Sequence, residues 1–116
     1  MLDDGCLFCK ILQRKIPSSV VYETSDVLGF RDIHPQAPVH VLFIPKSHIP
    51  GVHALGAGEA AVVASLVSAA AEIANREKIA DKGYRLTINC KSDGGQTVDH
   101  LHLHLLGGRR MGWPPG

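Results

Sequence analysis

The sequence predicts an α+β domain in which helices pack on an antiparallel sheet. Two observations predict this fold class. About five short runs alternate in polarity or are continuously apolar, each bounded by turn residues, and one longer run has helical spacing. The connections are mostly consecutive and hairpin-like, which favours antiparallel pairing. The chain has 116 residues, so we expect a single domain over residues 1–116.

Five segments are predicted as strands. The first two flank the polar turn Thr24-Ser25-Asp26 and are expected to form a hairpin. Residues 32–38 contain two prolines, which cannot continue a hydrogen-bonded ladder, so this segment is predicted as a loop that leads to the third strand. The five predicted strands are residues 20–23, 27–31, 39–44, 84–90 and 100–106.

Two segments are predicted as helices. Residues 8–13 form a short helix that must stop before Pro17, because the residue preceding a proline is pushed out of the helical region. Residues 59–75 contain neither glycine nor proline, and their apolar side chains recur at helical spacing. The many alanines allow close packing, so one face of this long helix is expected on the sheet. The opposite face either meets a second subunit or is simply exposed.

The composition excludes several classes of function. The formal net charge is +1 with 20% charged residues, so the chain lacks the basic field that dominates nucleic-acid binding, while a small anionic ligand remains compatible. The N-terminus lacks the basic and apolar regions of a signal peptide, and no uninterrupted apolar run approaches the length of a membrane span. We therefore expect a cytoplasmic protein that binds neither nucleic acid nor membranes.

The three cysteines fall into two groups. Cys6 and Cys9 have Cys-x-x-Cys spacing, which in a reducing compartment indicates a metal or redox element rather than a structural disulfide. Cys90 ends an alternating apolar run, so it is expected to be a small buried hydrophobic residue.

The last predicted strand carries the strongest chemical signal. His100, His102 and His104 occupy alternate positions, so the period of two in a strand sends all three imidazoles to one face and the intervening leucines into the core. Imidazole titrates near pH ~6.5, so one ring can act as an unprotonated nucleophile while a neighbour binds an oxyanion. The row therefore indicates nucleophilic chemistry on an anionic substrate.

A glycine-containing segment, residues 92–97, precedes this row. Adjacent glycines allow successive amides to point into one concavity, and Gln96 and Thr97 add side-chain donors, an arrangement that suits phosphate oxygens. An ordinary turn between two strands is the alternative.

At this point the residues carry a family resemblance. The segment His100-Leu101-His102-Leu103-His104-Leu105-Leu106 resembles the histidine-triad (HIT) pattern. The C-terminal residues Trp113-Pro114-Pro115-Gly116 resemble those of the Hint branch in particular, whose members are purine nucleoside phosphoramidases. Three further stretches extend the likeness over nearly the whole chain: Phe30-x-Asp32-Ile33-x-Pro35-Gln36-Ala37-Pro38-x-His40, Ile44-Pro45-Lys46-x-His48-Ile49 and Ser92-Asp93-Gly94-Gly95-Gln96, before the terminal Trp113-Pro114-Pro115-Gly116.

The resemblance implies an architecture. We expect a HIT-like fold with a five-stranded antiparallel sheet, one long helix and a short N-terminal helix. We also expect a homodimer that joins two sheets into one, with the Trp113 tail of each subunit near its partner's site.

The resemblance also implies catalytic roles. His102 would be the nucleophile, with its second ring nitrogen protonated and bonded to the main-chain carbonyl of His100. His104 would donate to a phosphate oxygen, and His40 would orient the cluster. Asp32 would accept both ribose hydroxyls.

Further positions are implied for nucleotide binding. Asn89, Gly95, Gln96, Thr97 and Val98 would contact the phosphate or the leaving group. An apolar slot for the base would consist of Leu7, Phe8, Ile11, Phe30 and Ile33, whereas Leu42 is expected to be part of the core.

A metal site is the second implication of the resemblance. Cys6 and Cys9 would be joined by His48 and His100 in a tetrahedral Cys₂His₂ set typical of structural zinc. This set resembles one in bacterial members and in related nucleotidyl transferases, whereas animal Hint proteins lack the cysteine pair. The alternative is a reduced cysteine pair packed under the N-terminal helix.

Other positions depart from the family or carry no assigned role. Arg31 replaces a residue that borders the base in many Hint proteins, and Asp99 stands where an aromatic residue is common. The charged or polar residues expected to be solvated surface groups are Lys10, Lys46, His53 and Arg109.

The expected function is hydrolysis of the P–N bond of a purine nucleoside 5′-phosphoramidate, such as adenosine 5′-phosphoramidate or an AMP-amine conjugate, through a nucleotidyl-histidine. No catalytic metal is required, because His104 and loop amides can neutralise charge. Two alternatives remain open at this point: a dinucleoside polyphosphate hydrolase, and a zinc-stabilised nucleotide-binding protein without turnover.

Overall fold

A computed structural model describes residues 2–116 of the chain. One five-stranded sheet forms the centre, a long helix covers one face and a short helix covers part of the other. The elements are α1 (Leu7–Leu12), β1 (Val20–Glu23), β2 (Val27–Arg31), β3 (Val39–Pro45), α2 (Ala60–Arg76), β4 (Tyr84–Thr87) and β5 (Leu103–Gly107), with 3₁₀ turns at Val52–Ala54 and Ala57–Glu59.

All neighbouring strands are antiparallel, in the order β1-β2-β3-β5-β4. The central strand β3 is buried along its whole length. In its pairing with β5, His40 lies opposite Leu106 and Leu42 lies opposite His104. His40 and His104 are therefore diagonal neighbours on one face, a separation that long and aromatic side chains span. The predicted α+β class and the HIT-like arrangement of elements are confirmed.

Strand alternation divides the interior into two apolar clusters. On the α2 face, alternate residues of β3 and β5 pack with the helix, for example Val41, Phe43, Leu103 and Leu105. Each such side chain contributes about 1.5–3 kcal/mol by leaving water. On the opposite face, which we call the histidine face, α1 covers a smaller cluster that contains Cys6, Phe8, Cys9, Leu28, Phe30, Leu42 and Ile44.

The long helix buries one stripe and leaves its other side open. Leu66, Ala69, Ala70, Ile73 and Ala74 face the sheet. No uninterrupted apolar run of membrane-spanning length occurs, because Glu59 and Glu72 lie within the segment, but the 20-residue helical segment Ala57–Arg76 is long and apolar enough by length and composition to cross a membrane. Only 28% of its most apolar stretch is buried, so much of the helix surface is apolar and open.

The last strand is shorter than predicted, and His100 and His102 precede it. β4 ends at Thr87 instead of residue 90, and β5 begins at Leu103 instead of residue 100. Leu101 donates its amide to the Ile49 carbonyl instead of to β4, so the ladder ends there although the inside–outside alternation of side chains continues. The other boundaries differ by one residue, which is ordinary fraying.

Cys90 was expected to be buried and is only partly so. Its Sγ lies 3.5 Å from Nδ1 of the exposed His53. The strand that would have buried it ends three residues earlier, so the thiol lies in the irregular segment after β4.

Candidate functional site

The three imidazoles of the row lie on the histidine face, and Leu101, Leu103 and Leu105 enter the core beneath α2. The rings of His102 and His104 are in contact at 5.0 Å between centroids. Phe8 of α1 lies edge-on against both His100 and His102, at 5.9 and 5.1 Å. The short helix therefore closes one side of the row.

His102 is held in one tautomer. Its Nδ1 lies 2.7 Å from the His100 carbonyl oxygen, which only accepts, so Nδ1 carries the proton and donates it. Nε2 then has a free lone pair. Nε2 of His102 has no hydrogen-bond partner among the described residues. Unlike Nε2 of His104, it is not fully buried, so it reaches solvent although the residue as a whole is only 4% exposed. The ring thus presents an unprotonated nitrogen at the surface of the row.

His40 and His104 form a second pair with a defined direction. The Gln36 amide donates to Nδ1 of His40 at 3.1 Å, so the proton of neutral His40 is on Nε2. That Nε2 donates to Nδ1 of His104 at 2.9 Å, which leaves the His104 proton on its own Nε2. His104 Nε2 is buried and has no partner among the described residues. A buried unpartnered donor is costly, and such a group calls for an explanation such as a missing ligand.

The pKa values keep these rings neutral near neutral pH. Burial lowers the pKa of His104 to about 4, with a smaller lowering from the charges of His102 and His40. Burial also lowers the pKa of His40, opposed by the Asp32 carboxylate. The pKa of His102 is lowered for the same reason, opposed by its bond to the His100 carbonyl and by Asp32. Each neutral ring has one donor and one acceptor nitrogen, which is the condition for the directed pattern above.

Asp32 lies at the edge of this pair, where β2 ends. Its Oδ2 is 3.5 Å from Nε2 of His40, and its Oδ1 accepts the amide of His34 at 2.8 Å. The carboxylate is partly accessible, so it can still accept from a ligand. Its neighbour Ile33 is 85% exposed, and an apolar side chain in that position is available for stacking.

The glycine-containing loop folds differently from the predicted anion cradle. The amides of Gly95 and Gln96 donate to the carbonyls of Ser92 and Lys91, within the turn itself. The side-chain amide of Gln96 donates to the carbonyls of Pro50 and Val98 at 2.8 and 3.0 Å.

These bonds lock the loop and use the donors that were expected to hold phosphate. The amides of Thr97 and Val98 are not used in the turn's own hydrogen bonds. Thr97 and Val98 line a depression together with Cys6, Leu7 and His48. Asn89 is half-buried just beyond β4.

The predicted apolar slot divides into a buried and an open part. Phe8 and Phe30 are buried and stack edge to face at 5.5 Å. Ile11 packs on the same cluster. Leu7 and Ile33 are exposed. Leu42, expected as core, is buried in the cluster of the histidine face.

The predicted metal ligands converge. Cys6 Sγ lies 3.4 Å from His100 Nδ1, and Cys9 Sγ lies 3.6 Å from His100 Nδ1 and 3.3 Å from His48 Nδ1. Zinc bonds of about 2.3 Å to sulfur and about 2.0–2.1 Å to nitrogen separate tetrahedral S and N ligands by about 3.5 Å. The observed separations therefore fit zinc.

Local structure explains how the four ligands meet. Cys6 caps α1, accepting the Cys9 amide on its sulfur, so the x-x spacing places both sulfurs at the first turn of the helix. His100 lies 3.0 Å from the Pro45 carbonyl through Nε2, so its proton is on Nε2 and Nδ1 faces the sulfurs with a lone pair. Burial is the main reason that the pKa of His100 falls to about 4 and that the pKa of Cys9 is raised.

A second cluster of ligand-type groups has the opposite character. Asp32, His40 and His104 are also close enough to hold a metal ion. The Gln36 amide on Nδ1 of His40, however, forces the proton onto Nε2, the atom that would have to bind the metal. We therefore assign this cluster to proton donation instead of metal binding.

The two departures from the family pattern lie in different places. Arg31 was expected to border the base, but its guanidinium pairs with Glu77 at the end of α2 at 2.9 Å, on the other face of the sheet. Asp99 is exposed beside Thr97 and Val98.

Two contacts of the site were missed by sequence reasoning. The Pro45 carbonyl and the Gln36 amide set the tautomers of His100 and His40. Both are main-chain groups, so residue type carries no signal for them.

The sheet and the alternating row of imidazoles define the class of histidine-triad proteins. The HIT domain family matches residues 13–111, and the chain belongs to this family. It is 48% identical over 106 residues to the purine nucleoside phosphoramidase of Escherichia coli K12, covering 91% of this chain and 89% of that protein.

Two further relatives bear on the site. A 14 kDa zinc-binding protein of Zea mays is 47% identical over 118 residues, covering 99% of this chain and 91% of that protein. The crystal structure of a HIT family hydrolase from Legionella pneumophila superposes with a TM-score of 0.93 at 50% identity, covering 96% of this chain and 99% of that chain.

Proposed function

We propose that the protein is a nucleotide hydrolase that cleaves the P–N bond of purine nucleoside 5′-phosphoramidates, such as adenosine 5′-phosphoramidate or AMP-amine conjugates. The observation that carries the proposal is the tautomer of His102: with Nδ1 donating to the His100 carbonyl, Nε2 presents a lone pair to solvent. The similarity to the E. coli phosphoramidase supports the substrate class.

The reaction has two displacement steps. First, the lone pair of His102 Nε2 forms a bond to phosphorus and the P–N bond breaks. The electron pair of that bond leaves with the nitrogen, which takes a proton from the solvent and departs as the amine. Second, water attacks the nucleotidyl-histidine, the bond between Nε2 and phosphorus breaks, and a nucleoside monophosphate is released. The proton lost by the water returns to the solvent or to the departing ring.

His104 stabilises the charge that develops on the phosphoryl oxygens. Its Nε2 donor is buried without a partner, so a phosphate oxygen satisfies it without any prior reorganisation of the protein. The unused amides of Thr97 and Val98, and the Asn89 side chain, are further candidate donors on the other side of the row. The amides of Gly95 and Gln96 act indirectly, by fixing the loop.

The nucleoside occupies the edge at the end of β2. Asp32 retains acceptor capacity for the ribose hydroxyls, and Phe8, Ile11, Phe30, Leu7 and the exposed Ile33 form the apolar surroundings for the base. The exposed position of Ile33 suits stacking on one face of a purine.

Zinc has a structural role in this proposal. All four ligands, Cys6, Cys9, His48 and His100, come from the protein, which leaves no open coordination position for substrate. Zinc would join α1 to the segment that carries His102, and the similarity to the maize zinc-binding protein supports this ion.

We also propose a homodimer that joins two sheets through β4. This strand is at the sheet edge, and the open side of α2 presents apolar residues such as Val67, which is 40% exposed. Arg85 on β4 donates to the Gly112 carbonyl at 2.8 Å, so the tail with exposed Trp113 starts beside this edge and can reach a partner's site. Sedimentation of the wild type and of Val67→Arg tests this: a monomeric wild type would contradict the dimer.

The decisive experiment is intact mass spectrometry after brief mixing with adenosine 5′-phosphoramidate. We expect an added nucleotidyl mass that maps to His102, and its absence in His102→Asn, which should still bind AMP. An adduct on another residue, or turnover by His102→Asn, would refute the mechanism.

Two alternatives are distinguished by the same material. Faster turnover of diadenosine polyphosphates than of the phosphoramidate would make the protein a polyphosphate hydrolase. Binding of AMP without turnover of either substrate would make it a zinc-stabilised binding protein.

A further inference from the structure

The loop before β3 contacts His40 both through the Asp32 side chain and through its main chain. Residues Pro35 and Pro38 frame Gln36, whose amide donates to Nδ1 of His40 at 3.1 Å. Gln36 also donates its side-chain amide to the His34 carbonyl at 3.0 Å. The orientation of the peptide bond before Gln36 therefore decides which nitrogen of His40 carries the proton.

Arg109, which is distant in sequence, binds the carbonyl oxygen of the same residue. Arg109 donates to the Gln36 carbonyl from Nε at 3.1 Å and from Nη2 at 3.0 Å, and its Nη1 donates to the Arg110 carbonyl at 3.1 Å. The guanidinium thus uses all three of its nitrogens on main-chain oxygens. Arg109 is exposed, as expected from the sequence, and its guanidinium is in addition held by these three contacts.

The path of the chain brings Arg109 to this position. The chain leaves β5 through Gly108, which has φ +89. A Cβ on Gly108 would lie 2.8 Å from Cβ of Pro38, so the two segments are packed as closely as a glycine allows. The end of β5, the strand that carries His104, is therefore fastened to the loop that orients His40.

We propose that Arg109 is a positioning residue for catalysis: by holding the Gln36 carbonyl, it aims the Gln36 amide at His40 and so sets the proton direction of the His40–His104 pair. The chain of donors runs from the Gln36 amide to His40 Nδ1, from His40 Nε2 to His104 Nδ1, and ends on the unpartnered Nε2–H of His104. This inference rests on the proposed function, since it gives that last donor its use.

Loss of the bonds from Arg109 to the Gln36 carbonyl would change the tautomer of His40. The Gln36 amide belongs to the peptide before the residue and the Gln36 carbonyl to the peptide after it, so Arg109 acts on the amide by fixing the backbone torsions of Gln36. If this backbone shifts, Nδ1 of His40 loses its fixed donor, and a neutral His40 can then carry its proton on either nitrogen. With the proton on Nδ1, His40 no longer donates to His104, and His104 is free to place its own proton on Nδ1, away from a phosphate oxygen. The nucleophile His102 is unaffected, because its tautomer is set by the His100 carbonyl.

The test compares Arg109→Ala, Arg109→Lys and the matched control Arg110→Ala in the zinc-loaded full chain. Arg110 is the adjacent exposed arginine, and its side chain makes no hydrogen bond or ion pair within residues 2–116. Imidazole ¹⁵N chemical shifts, assigned with His40→Asn and His104→Asn, report directly which ring nitrogens are protonated.

We expect the wild type and Arg110→Ala to show His40 and His104 as pure Nε2–H tautomers. Arg109→Ala should show a mixture at both rings and a fall in kcat of about tenfold, the size of effect known for groups that orient a functional histidine, with KM nearly unchanged. Arg109→Lys, which provides a single point donor, should lie between the two.

Two results would overturn the inference. Unchanged tautomers and kcat in Arg109→Ala, with only a lower melting temperature, would make the contact merely structural. An Nδ1–H tautomer of His40 in the wild type would remove the basis of the chain of donors. The ¹⁵N chemical shifts of His40 and His104 are measured without substrate. A wild type that fails to cleave phosphoramidates would therefore refute the proposed function and leave the tautomer test intact.

Discussion

The two histidine clusters on the histidine face use the same side chain for opposite purposes. In both, a neutral, buried imidazole has one ring nitrogen bonded to the main chain. In the cysteine cluster that partner is the Pro45 carbonyl, an acceptor, so His100 turns a lone pair toward Cys6 and Cys9. In the other cluster it is the Gln36 amide, a donor, so His40 turns a proton toward His104.

The difference shows that proximity of ligand-type residues does not by itself define a metal site. The ligand-type atoms of Asp32, His40 and His104 lie as close together as a shared metal ion requires, like those of Cys6, Cys9, His48 and His100. The main-chain partner of each ring decides whether the facing nitrogen offers a lone pair, as a metal ligand must, or a proton to the neighbouring ring. The following predictions test that comparison, beginning with the largest expected effect.

Removing the metal ligands should have the largest effect. The double substitution Cys6→Ser with Cys9→Ser leaves no thiolate for zinc, and we expect loss of bound zinc and of apparent stabilisation on the order of 10 kcal/mol. Metal content by elemental analysis and thermal unfolding measure this. Cys90→Ser is the matched control, because Cys90 is outside the cluster, and it should retain one zinc per chain; equal zinc content in all three proteins would refute the site.

The other cluster should respond to substitution in catalysis and not in zinc content. His104→Ala deletes the donor at the end of the chain of hydrogen bonds, and we expect kcat to fall by about 10²–10³-fold, the range for removal of one oxyanion donor. Steady-state kinetics measure the fall in kcat, and elemental analysis measures whether the zinc content is unchanged. Loss of zinc from His104→Ala would show that the two clusters are one site.

Acid should destabilise the fold through His104. Its folded pKa is lowered to about 4, while an unfolded histidine titrates near pH ~6.5. Between these values the unfolded state binds more protons, so stability is fully present above about pH 6.5 and is lost as the pH falls toward 4. His104→Gln does not titrate, so its unfolding free energy should fall less steeply over this window; equal slopes for both proteins would contradict the prediction.

The smallest effect is expected on the opposite face of the sheet. Arg31 pairs with Glu77 and is 41% exposed, so Arg31→Gln should change the unfolding free energy by at most about 1 kcal/mol. Its kcat/KM should equal that of the wild type, because the side chain points away from the row. A changed preference of Arg31→Gln among purine nucleotides would contradict this and would indicate that Arg31 borders the base.

Much of the architecture was predictable because periodicity carries it. Alternating or continuously apolar runs bounded by turn residues identified all five strands, and helical spacing identified the long helix, to within a residue at most ends. The exceptions were the ends of β4 and β5 around the row, where Leu101 bonds to Ile49 instead of continuing the ladder. Such a change of hydrogen-bond partner leaves no trace in the inside–outside pattern of side chains.

The sequence by itself indicated the alternating row of imidazoles on one face, the cysteine pair as a metal or redox element, and the family to which the chain belongs. Only the tertiary structure decided the tautomers of His100 and His40, which depend on the Pro45 carbonyl and the Gln36 amide, and the Gln36 carbonyl is bound in turn by Arg109. The bond from His102 to the His100 carbonyl was already expected from the family resemblance, and the structure shows it. Every residue except proline has both an amide and a carbonyl, so which one faces a ring is set by the path of the chain and not by the residue type.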